Sequence, residues 1–389
     1  MQAIILAGGK GTRLMPLTAD RPKPLVEVNG KAFIDYQLEL LKANGIERVL
    51  ILVGHLGQMI VDHVGDGSRF GLTVAFDDAG VDAGTGARLR HAHEYIEDEF
   101  LLLYCDNYWP LKIDRLLAFH RAHGVAGTAT VYKNADGYSK NNTRVGGNGF
   151  VEIYDKERAA EGLNGVEAGF FILKKSALAA LPDGDSSFER TVLPDLIARK
   201  QLAGFLTDHR YYTIGSIERF EQAVEFLRPR KVVLLDRDGV INRGAPKAEY
   251  ITTWKDFHFL PDAVEGLVEL SRKGYELYVV TNQAGIARGM LSEGGLSDIH
   301  ARMSTALQEH GITIIDIYHC PHGWDSTCEC RKPQPGMLYQ AAREHHFDLT
   351  KALFIGDNDT DAQAAAAADC RFELASETRT LLDIARKLP

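Results

Sequence analysis

Three of the chain's five cysteines fall between Cys320 and Cys330, in the order C-x-H-x5-C-x-C with His322 among them. Three thiolates and one imidazole at this spacing suit a closed tetrahedral Zn²⁺ site rather than a catalytic one, because no ligand position is left for a substrate. The competing disulfide reading is disfavoured in a reducing compartment and leaves the histidine unexplained. Cys320, His322, Cys328 and Cys330 are therefore expected to bind zinc, and metal binding is folding energy for a loop that lacks a core of its own. The loop runs directly into Arg331 and Lys332, which it would aim at a phosphate. His319 is not needed as a fifth ligand, and Cys105 and Cys370 read as ordinary buried small residues.

A second pattern is VVLLDRDG, an apolar strand ending in Asp236 and Asp238. Residues i and i+2 of a strand point the same way. Beyond the strand end, where Gly239 permits a turn, both carboxylates can converge on one site. YVVTNQAGIARG likewise ends a strand in Thr281 and Asn282, and ALFIGDNDTD ends one in Asp357, Asp359 and Asp361. Polar strand ends gathered at one edge are where open α/β sheets build their sites. Near the start, LAGGKGTRL follows another strand, and Gly8, Gly9 and Gly11 can present backbone N–H groups to an anion, with Arg13 and Lys23 adding charge. A glycine turn of this kind also serves merely to reverse a chain.

These groups need a scaffold. At 389 residues the chain exceeds one ordinary core and is expected to form two domains. Apolar runs alternate with amphipathic helical stretches twice over, the pattern of parallel α/β sheets with crossover helices. AIILAGG opens the first series and KVVLLDRDG the second, with the basic RPRK around Pro229 as linker. The expected organisation is two doubly wound α/β domains, 1–227 and 231–389, the first of them Rossmann-like. The alanine run at 364–368 is good helix material.

No apolar run reaches the roughly 18 to 20 residues that span a bilayer, and no cleavable leader is visible, so a cytoplasmic address and reduced thiols are expected. A formal charge of −9 with dispersed basic residues argues against nucleic-acid or membrane partners.

The stretch around the glycine turn resembles the signature of the sugar-1-phosphate nucleotidyltransferases, GGxGTRLxPxTxxxPKP. It is matched at Gly8, Gly9, Gly11, Thr12, Arg13, Leu14, Pro16, Thr18, Pro22, Lys23 and Pro24. The resemblance continues through Asp35, Tyr36 and Gln37 and reaches roughly residue 227. It implies that Gly84 and Thr85 approach a nucleobase, that Asp106 binds Mg²⁺, and that Lys156, Glu167 and Gly169 meet the sugar phosphate. Nucleotidyl transfer follows, in which a sugar phosphate attacks the α-phosphorus of a nucleoside triphosphate. It calls for positioning and charge stabilisation by Arg13, Lys23 and the metal. Thr213 stands where that family supplies a second metal carboxylate. Asp208 or water then completes the shell, or transfer is weakened or lost.

The second series resembles the haloacid dehalogenase superfamily of phosphatases across residues 231 to about 375. The resemblance implies Asp236 as nucleophile forming an aspartyl phosphate and Asp238 as general acid and base. It further implies Mg²⁺ between Asp236, Asp357 and the Asp238 carbonyl, phosphoryl contacts from Thr281 and Asn282, and charge neutralisation by Lys332.

The zinc loop together with DRDGVIN, TNQAGIARG and CRKPQPGM is similar to the heptose bisphosphate phosphatases of that superfamily, which makes Arg288 and Arg331 candidates for gripping a second phosphate. Asn358 departs from the lysine usual there. The two resemblances together imply removal of the 7-phosphate from a heptose 1,7-bisphosphate, then transfer of a nucleotide to the remaining heptose 1-phosphate, with GTP as donor. The alternative expectation is a histidinol-phosphate or other small-monoester phosphatase beside a weak or inactive nucleotide-binding domain.

Overall fold

The run AIIL near the start forms the strand Gln2–Leu6, and its alternation assigns each side chain a face. Ala3 and Ile5 pack with Ile34, Leu38 and Leu41 of the helix Phe33–Ala43, whereas Ile4 and Leu6 pack on the opposite side with Leu89, Val192 and Leu196. A strand covered on both faces has no solvent side to mark, which is why its sequence reads as unbroken apolar. The computed structural model describes residues 1–246 and 249–389 and divides into two units, Met1–Leu227 and Arg228–Pro389.

In the first unit seven strands form one sheet, in the order Leu202–Thr207, Gly127–Tyr132, Val166–Lys174, Glu99–Tyr104, Gln2–Leu6, Arg48–Val53, Thr73–Asp78. The sheet is mixed, a correction to the all-parallel expectation: Val166–Lys174 runs antiparallel to both neighbours. The reason is local. The chain between Gly127–Tyr132 and Val166–Lys174 makes an antiparallel pair, Thr143–Val145 with Val151–Tyr154, and no crossover helix, so it returns in the opposite sense. The pairing is interrupted between Glu167 and Phe171, where Gly169 takes a φ of 85° and a side chain would strike Asn107 and Tyr104.

In the second unit five strands, all parallel, run in the order Ile314–Cys320, Tyr275–Asn282, Lys231–Leu235, Leu353–Gly356, Arg371–Leu374. Val233 and Leu235 face Leu267 and Leu296, while Val232 and Leu234 face Leu338 and Ala341. Each such burial contributes about 1.5–3 kcal/mol before conformational entropy is counted. Parallel register brings four carboxyl-terminal strand ends to one edge and delivers there Asp236, Thr281 with Asn282, Cys320, and Asp357. Among the described residues no helix is long and apolar enough to cross a membrane.

Candidate active sites

At the strand edge of the second unit, Lys332 organises the carboxylates. Its Nζ lies 2.9 Å from Asp236 Oδ1 and 2.7 Å from Asp361 Oδ1, and donates to the Val280 carbonyl at 3.0 Å. The buried ammonium is thereby compensated by two carboxylates and one carbonyl. Burial alone would pull Lys332 down, but Asp236 and Asp361 outweigh it and hold the ammonium above its usual range. Asp236 is raised, chiefly by burial and against the pull of Lys332.

The carboxylate oxygens of Asp236, Asp357 and Asp361 lie within 4.8 Å of one another. Hard divalent cations take such oxygen sets. Gly239, at a φ of 94°, keeps the space beside Asp357 open, since a side chain there would collide with the Asp357 carboxylate. The donor set fits Mg²⁺. Asp361, which the sequence reading placed among the polar strand ends without a specific role, joins Asp236 and Asp357 in it from the start of the helix Asp359–Ala367.

Asp238 is turned into a separate polar cage. Arg237 Nη2 donates to Asp238 Oδ2 at 2.8 Å and Oδ1 at 3.0 Å, Asn242 Nδ2 donates to Oδ1 at 2.9 Å, and Gln283 Nε2 donates to Oδ2 at 2.8 Å. Arg237 is fully buried and also bonds His300 Nε2 at 3.0 Å. Gln283 reaches Thr281 Oγ1 at 2.9 Å as well. Arg237, Gln283 and His300 had no assignment from sequence, because nothing in residue type alone separates a buried positioning group from a solvated one. Asn282 clamps the Lys332 backbone, accepting from its N–H at 3.1 Å and donating to its carbonyl at 3.1 Å. In this structure it positions the lysine.

The cysteine loop gathers as its spacing predicts. Cys330 Sγ is 3.3 Å from Cys320 Sγ, 3.5 Å from Cys328 Sγ and 3.2 Å from His322 Nδ1, while Cys320 Sγ is 3.7 Å from Cys328 Sγ and 3.5 Å from His322 Nδ1. Sulfurs bonded to each other stand about 2.05 Å apart, so these thiols are free. A tetrahedron with metal–sulfur bonds of about 2.3 Å has edges of about 3.8 Å, and the observed separations approach that size. The set fits Zn²⁺. His319 instead meets Glu293 at 2.9 Å, and Cys105 and Cys370 are free and buried. Arg331 donates to the His322 carbonyl at 3.2 Å, and Arg288 lies over the Trp324 ring at 4.0 Å.

The first unit holds a cleft of about 980 Å³ above the glycine turn. Gly8, Gly9, Arg13, Lys23, Gly84, Thr85, Asp106, Lys156 and Glu167 line it, together with Tyr154, Arg158, Glu189 and Arg219, which sequence reasoning missed. Lys23 Nζ meets Asp106 Oδ2 at 2.8 Å and, despite burial, is held above its ordinary range by that carboxylate. Thr213 pairs in register with Asn107, and a side chain at Gly215 would stand 3.2 Å from Thr213 Oγ1 and 3.7 Å from Asp106 Oδ2. The hydroxyl and the carboxylate therefore share one corner. Asp208 is engaged by Lys133 at 2.6 Å and does not line the cleft, so it is no stand-in ligand. One carboxylate with a hydroxyl beside it suits Mg²⁺ only in the mode that leans on substrate phosphates.

Three assignments are corrected here. Gln37 is wholly buried and outside the cleft; its Nε2 donates to the Tyr104 carbonyl at 2.8 Å and the Asn107 carbonyl at 2.7 Å, so it straps the backbone on both sides of Asp106. Gly11 and Thr12 also lie outside it. Gly11 adopts a φ of 66° and accepts from Thr18 Oγ1 at 3.0 Å, so its role is the turn itself. Thr85 gives its hydroxyl to Glu189 at 2.9 Å, and Lys156 stands 3.8 Å from the same carboxylate. Glu167 lines the cleft with its carboxyl pushed up to about 8, chiefly by burial and against the pull of the Gly169 N–H.

Residues 2–230 match the nucleotidyl transferase family and residues 175–369 the haloacid dehalogenase-like hydrolase family. The chain is 39% identical over 160 residues to a D-glycero-beta-D-manno-heptose-1,7-bisphosphate 7-phosphatase of Pseudomonas aeruginosa, covering 41% of this chain and 89% of that one. A protein of the same name from Photorhabdus laumondii is 43% identical over 143 residues, covering 35% of this chain and 74% of its own length. The crystal structure of HddC from Yersinia pseudotuberculosis superposes with a TM-score of 0.50 at 25% identity, over 58% of this chain and 98% of that one.

Proposed function

The chain belongs to the nucleotidyl transferase family through residues 2–230 and to the haloacid dehalogenase-like hydrolases through residues 175–369, and from that double membership we propose two consecutive steps of heptose nucleotide synthesis. The C-terminal half removes the 7-phosphate of D-glycero-D-manno-heptose 1,7-bisphosphate. The N-terminal half then joins the remaining 1-phosphate to a nucleotide and releases pyrophosphate. The similarity to curated heptose bisphosphate phosphatases supports the first step, and the likeness to HddC agrees with the second. Guanine is proposed as the base on the resemblance of the N-terminal sequence alone. The proposed address is the cytoplasm, where nucleoside triphosphates are made.

The observation that carries the phosphatase reading is the buried Lys332 between Asp236 and Asp361, with Asp357 alongside. An Asp236 carboxylate oxygen attacks the 7-phosphorus, the bond from phosphorus to the sugar oxygen breaks, and Asp238 gives that oxygen a proton. Asp238 then takes a proton from water as its oxygen attacks the aspartyl phosphate, releasing inorganic phosphate and restoring Asp236. Lys332 holds Asp236 in place and offsets the charge that builds beside it. Mg²⁺ held by Asp236 and Asp357 would supply further charge neutralisation. The zinc set is structural in this reading, and keeps Arg331 and Lys332 oriented.

In the first unit an oxygen of the heptose 1-phosphate attacks the α-phosphorus and the bond to the bridging oxygen of pyrophosphate breaks. Gly8, Gly9 and Arg13 receive the phosphates, Lys23 keeps Asp106 aimed at them, and Lys156 takes the sugar phosphate. Mg²⁺ on Asp106 would supply charge stabilisation there.

A panel of phosphate esters tests the substrate assignment. Heptose 1,7-bisphosphate is expected to be hydrolysed well ahead of histidinol phosphate and simple monoesters; a preference for histidinol phosphate would overturn it.

A further inference from the structure

Arg88 is only 3% exposed, and its guanidinium packs against the glycine turn, where a side chain on Gly8 or on Gly54 would strike it. Every acceptor it meets is a backbone carbonyl. Nη1 donates to Val53, and Nη2 donates to Gly80 at 2.8 Å, to Gly8 at 3.3 Å and to Val81 at 3.4 Å. Among the described residues no carboxylate pairs with it, and Asp78, Asp185 and Asp77 act on it only from a distance. An arginine in a protein keeps its proton, so neutral carbonyls satisfy its donors and leave its charge uncancelled. A buried cation left in that state is costly, and the cost is offset when an anion comes within reach.

The four carbonyls belong to three segments. Val53 ends the strand Arg48–Val53, Gly8 lies in the turn after Gln2–Leu6, and Gly80 and Val81 lead into Asp82, Ala83, Gly84 and Thr85, which line the cleft. Arg88 lines it too, from the helix Thr85–His91, with its N–H on the Gly84 carbonyl at 3.0 Å. One side chain thus couples the glycine turn to the stretch 80–85. The Gly8 carbonyl also accepts from the His55 N–H at 3.3 Å. In a trans peptide the carbonyl and the following N–H point in opposite directions, so both bonds turn the Gly9 N–H away from Arg88. Among the described residues neither the Gly8 nor the Gly9 N–H has an acceptor, although Gly8 is buried. Buried backbone N–H groups are almost always paired, so an acceptor from outside the chain completes this turn.

We propose that Arg88 is a positioning residue for the polyphosphate chain of the nucleotide: from behind the glycine turn it fixes the Gly8–Gly9 peptide with its N–H toward the phosphates and leaves its own charge to act on them. The inference rests on the proposed nucleotidyl transfer and deepens it. Arg13 and Lys23 meet the phosphates from within the cleft, whereas Arg88 acts through the backbone that cradles them. An effect of this kind grows with the charge of the ligand; a general loosening of the cleft weakens every ligand that shares a base alike.

The test is the ratio of the affinities for GTP and GMP, measured by calorimetry with Mg²⁺ on the full chain, with inorganic tripolyphosphate as a base-free probe. Arg88→Met, which removes the charge and all four bonds, is expected to lower both the ratio and the tripolyphosphate affinity by about 10-fold or more. Arg88→Lys keeps the charge but cannot span three segments with one ammonium, and is expected to recover part of the loss, ending about threefold below wild type. A wild-type protein that binds neither GTP nor tripolyphosphate would sink the transferase reading and this inference with it. Wild-type binding of either probe that survives Arg88→Met unchanged would overturn the role of Arg88 alone. Should the methionine variant fail to fold, Arg88→Lys decides, and a ratio and tripolyphosphate affinity equal to those of the wild type would overturn it.

Discussion

Lys332 stands 2.9 Å from Asp236, and both side chains are buried beneath the edge where the strands of the second unit end. A buried pair of this kind contributes little net stability as a pair, but breaking it strands a charge. Here two carboxylates would be stranded, since Asp361 shares the same ammonium.

Lys332→Met is therefore expected to destabilise the second unit by about 3–5 kcal/mol in urea unfolding and to cut phosphatase turnover by about a hundredfold or more. Adding Asp361→Asn relieves the stranded charge and is expected to recover part of the stability with none of the activity. Full activity in Lys332→Met would remove the lysine from the mechanism.

Thr213 faces the corner occupied by Asp106, and its hydroxyl is a weak ligand for a hard cation. Thr213→Asp is expected to lower the Mg²⁺ concentration needed for half-maximal pyrophosphate release, while Thr213→Ala changes it little. A metal dependence that neither substitution moves would place the cation elsewhere.

His300 is lowered to about 3, by burial first and by the Arg237 guanidinium second. The unfolded chain takes up a proton at this histidine near its ordinary 6.5, whereas the folded one does not until about 3. Unfolding binds the extra proton, so this group's share of stability falls as pH drops from about 6.5 toward about 3. His300→Gln keeps a partner for Arg237 without the titration and is expected to flatten the pH dependence of unfolding over that window. Equal slopes in the two proteins would show His300 to be protonated in the fold.

The four ligand atoms of Cys320, His322, Cys328 and Cys330 have the dimensions of a tetrahedral zinc site. Cys328→Ser is expected to lose the metal and lower the melting temperature of the second unit, and a strong chelator is expected to do the same to the wild type. Unchanged zinc content in purified Cys328→Ser would refute the assignment.

What could be read from the sequence divides along physical lines. Groups whose chemistry is announced by spacing, such as the cysteine loop, the paired Asp236 and Asp238 and the glycine turn, are local signals. Strand runs buried on both faces are legible for the same reason. The reversal of Val166–Lys174 was hidden because a two-strand excursion and a crossover helix need similar lengths of chain. Asp361 was visible as a polar strand end but its pairing with Lys332 was not, Arg237 and Gln283 were hidden because their roles depend on contacts across the fold, and Gln37 was misread because a motif position near a site can support it from below.

The most direct measurement is incubation of the full chain with D-glycero-D-manno-heptose 1,7-bisphosphate, GTP and Mg²⁺, with products identified by mass. The expected products are GDP-heptose, one inorganic phosphate and one pyrophosphate per sugar, with phosphate release lost in Asp236→Asn and pyrophosphate release lost in Asp106→Asn. Phosphate release that survives Asp236→Asn, or the absence of any nucleotide sugar with every nucleoside triphosphate, would contradict the account.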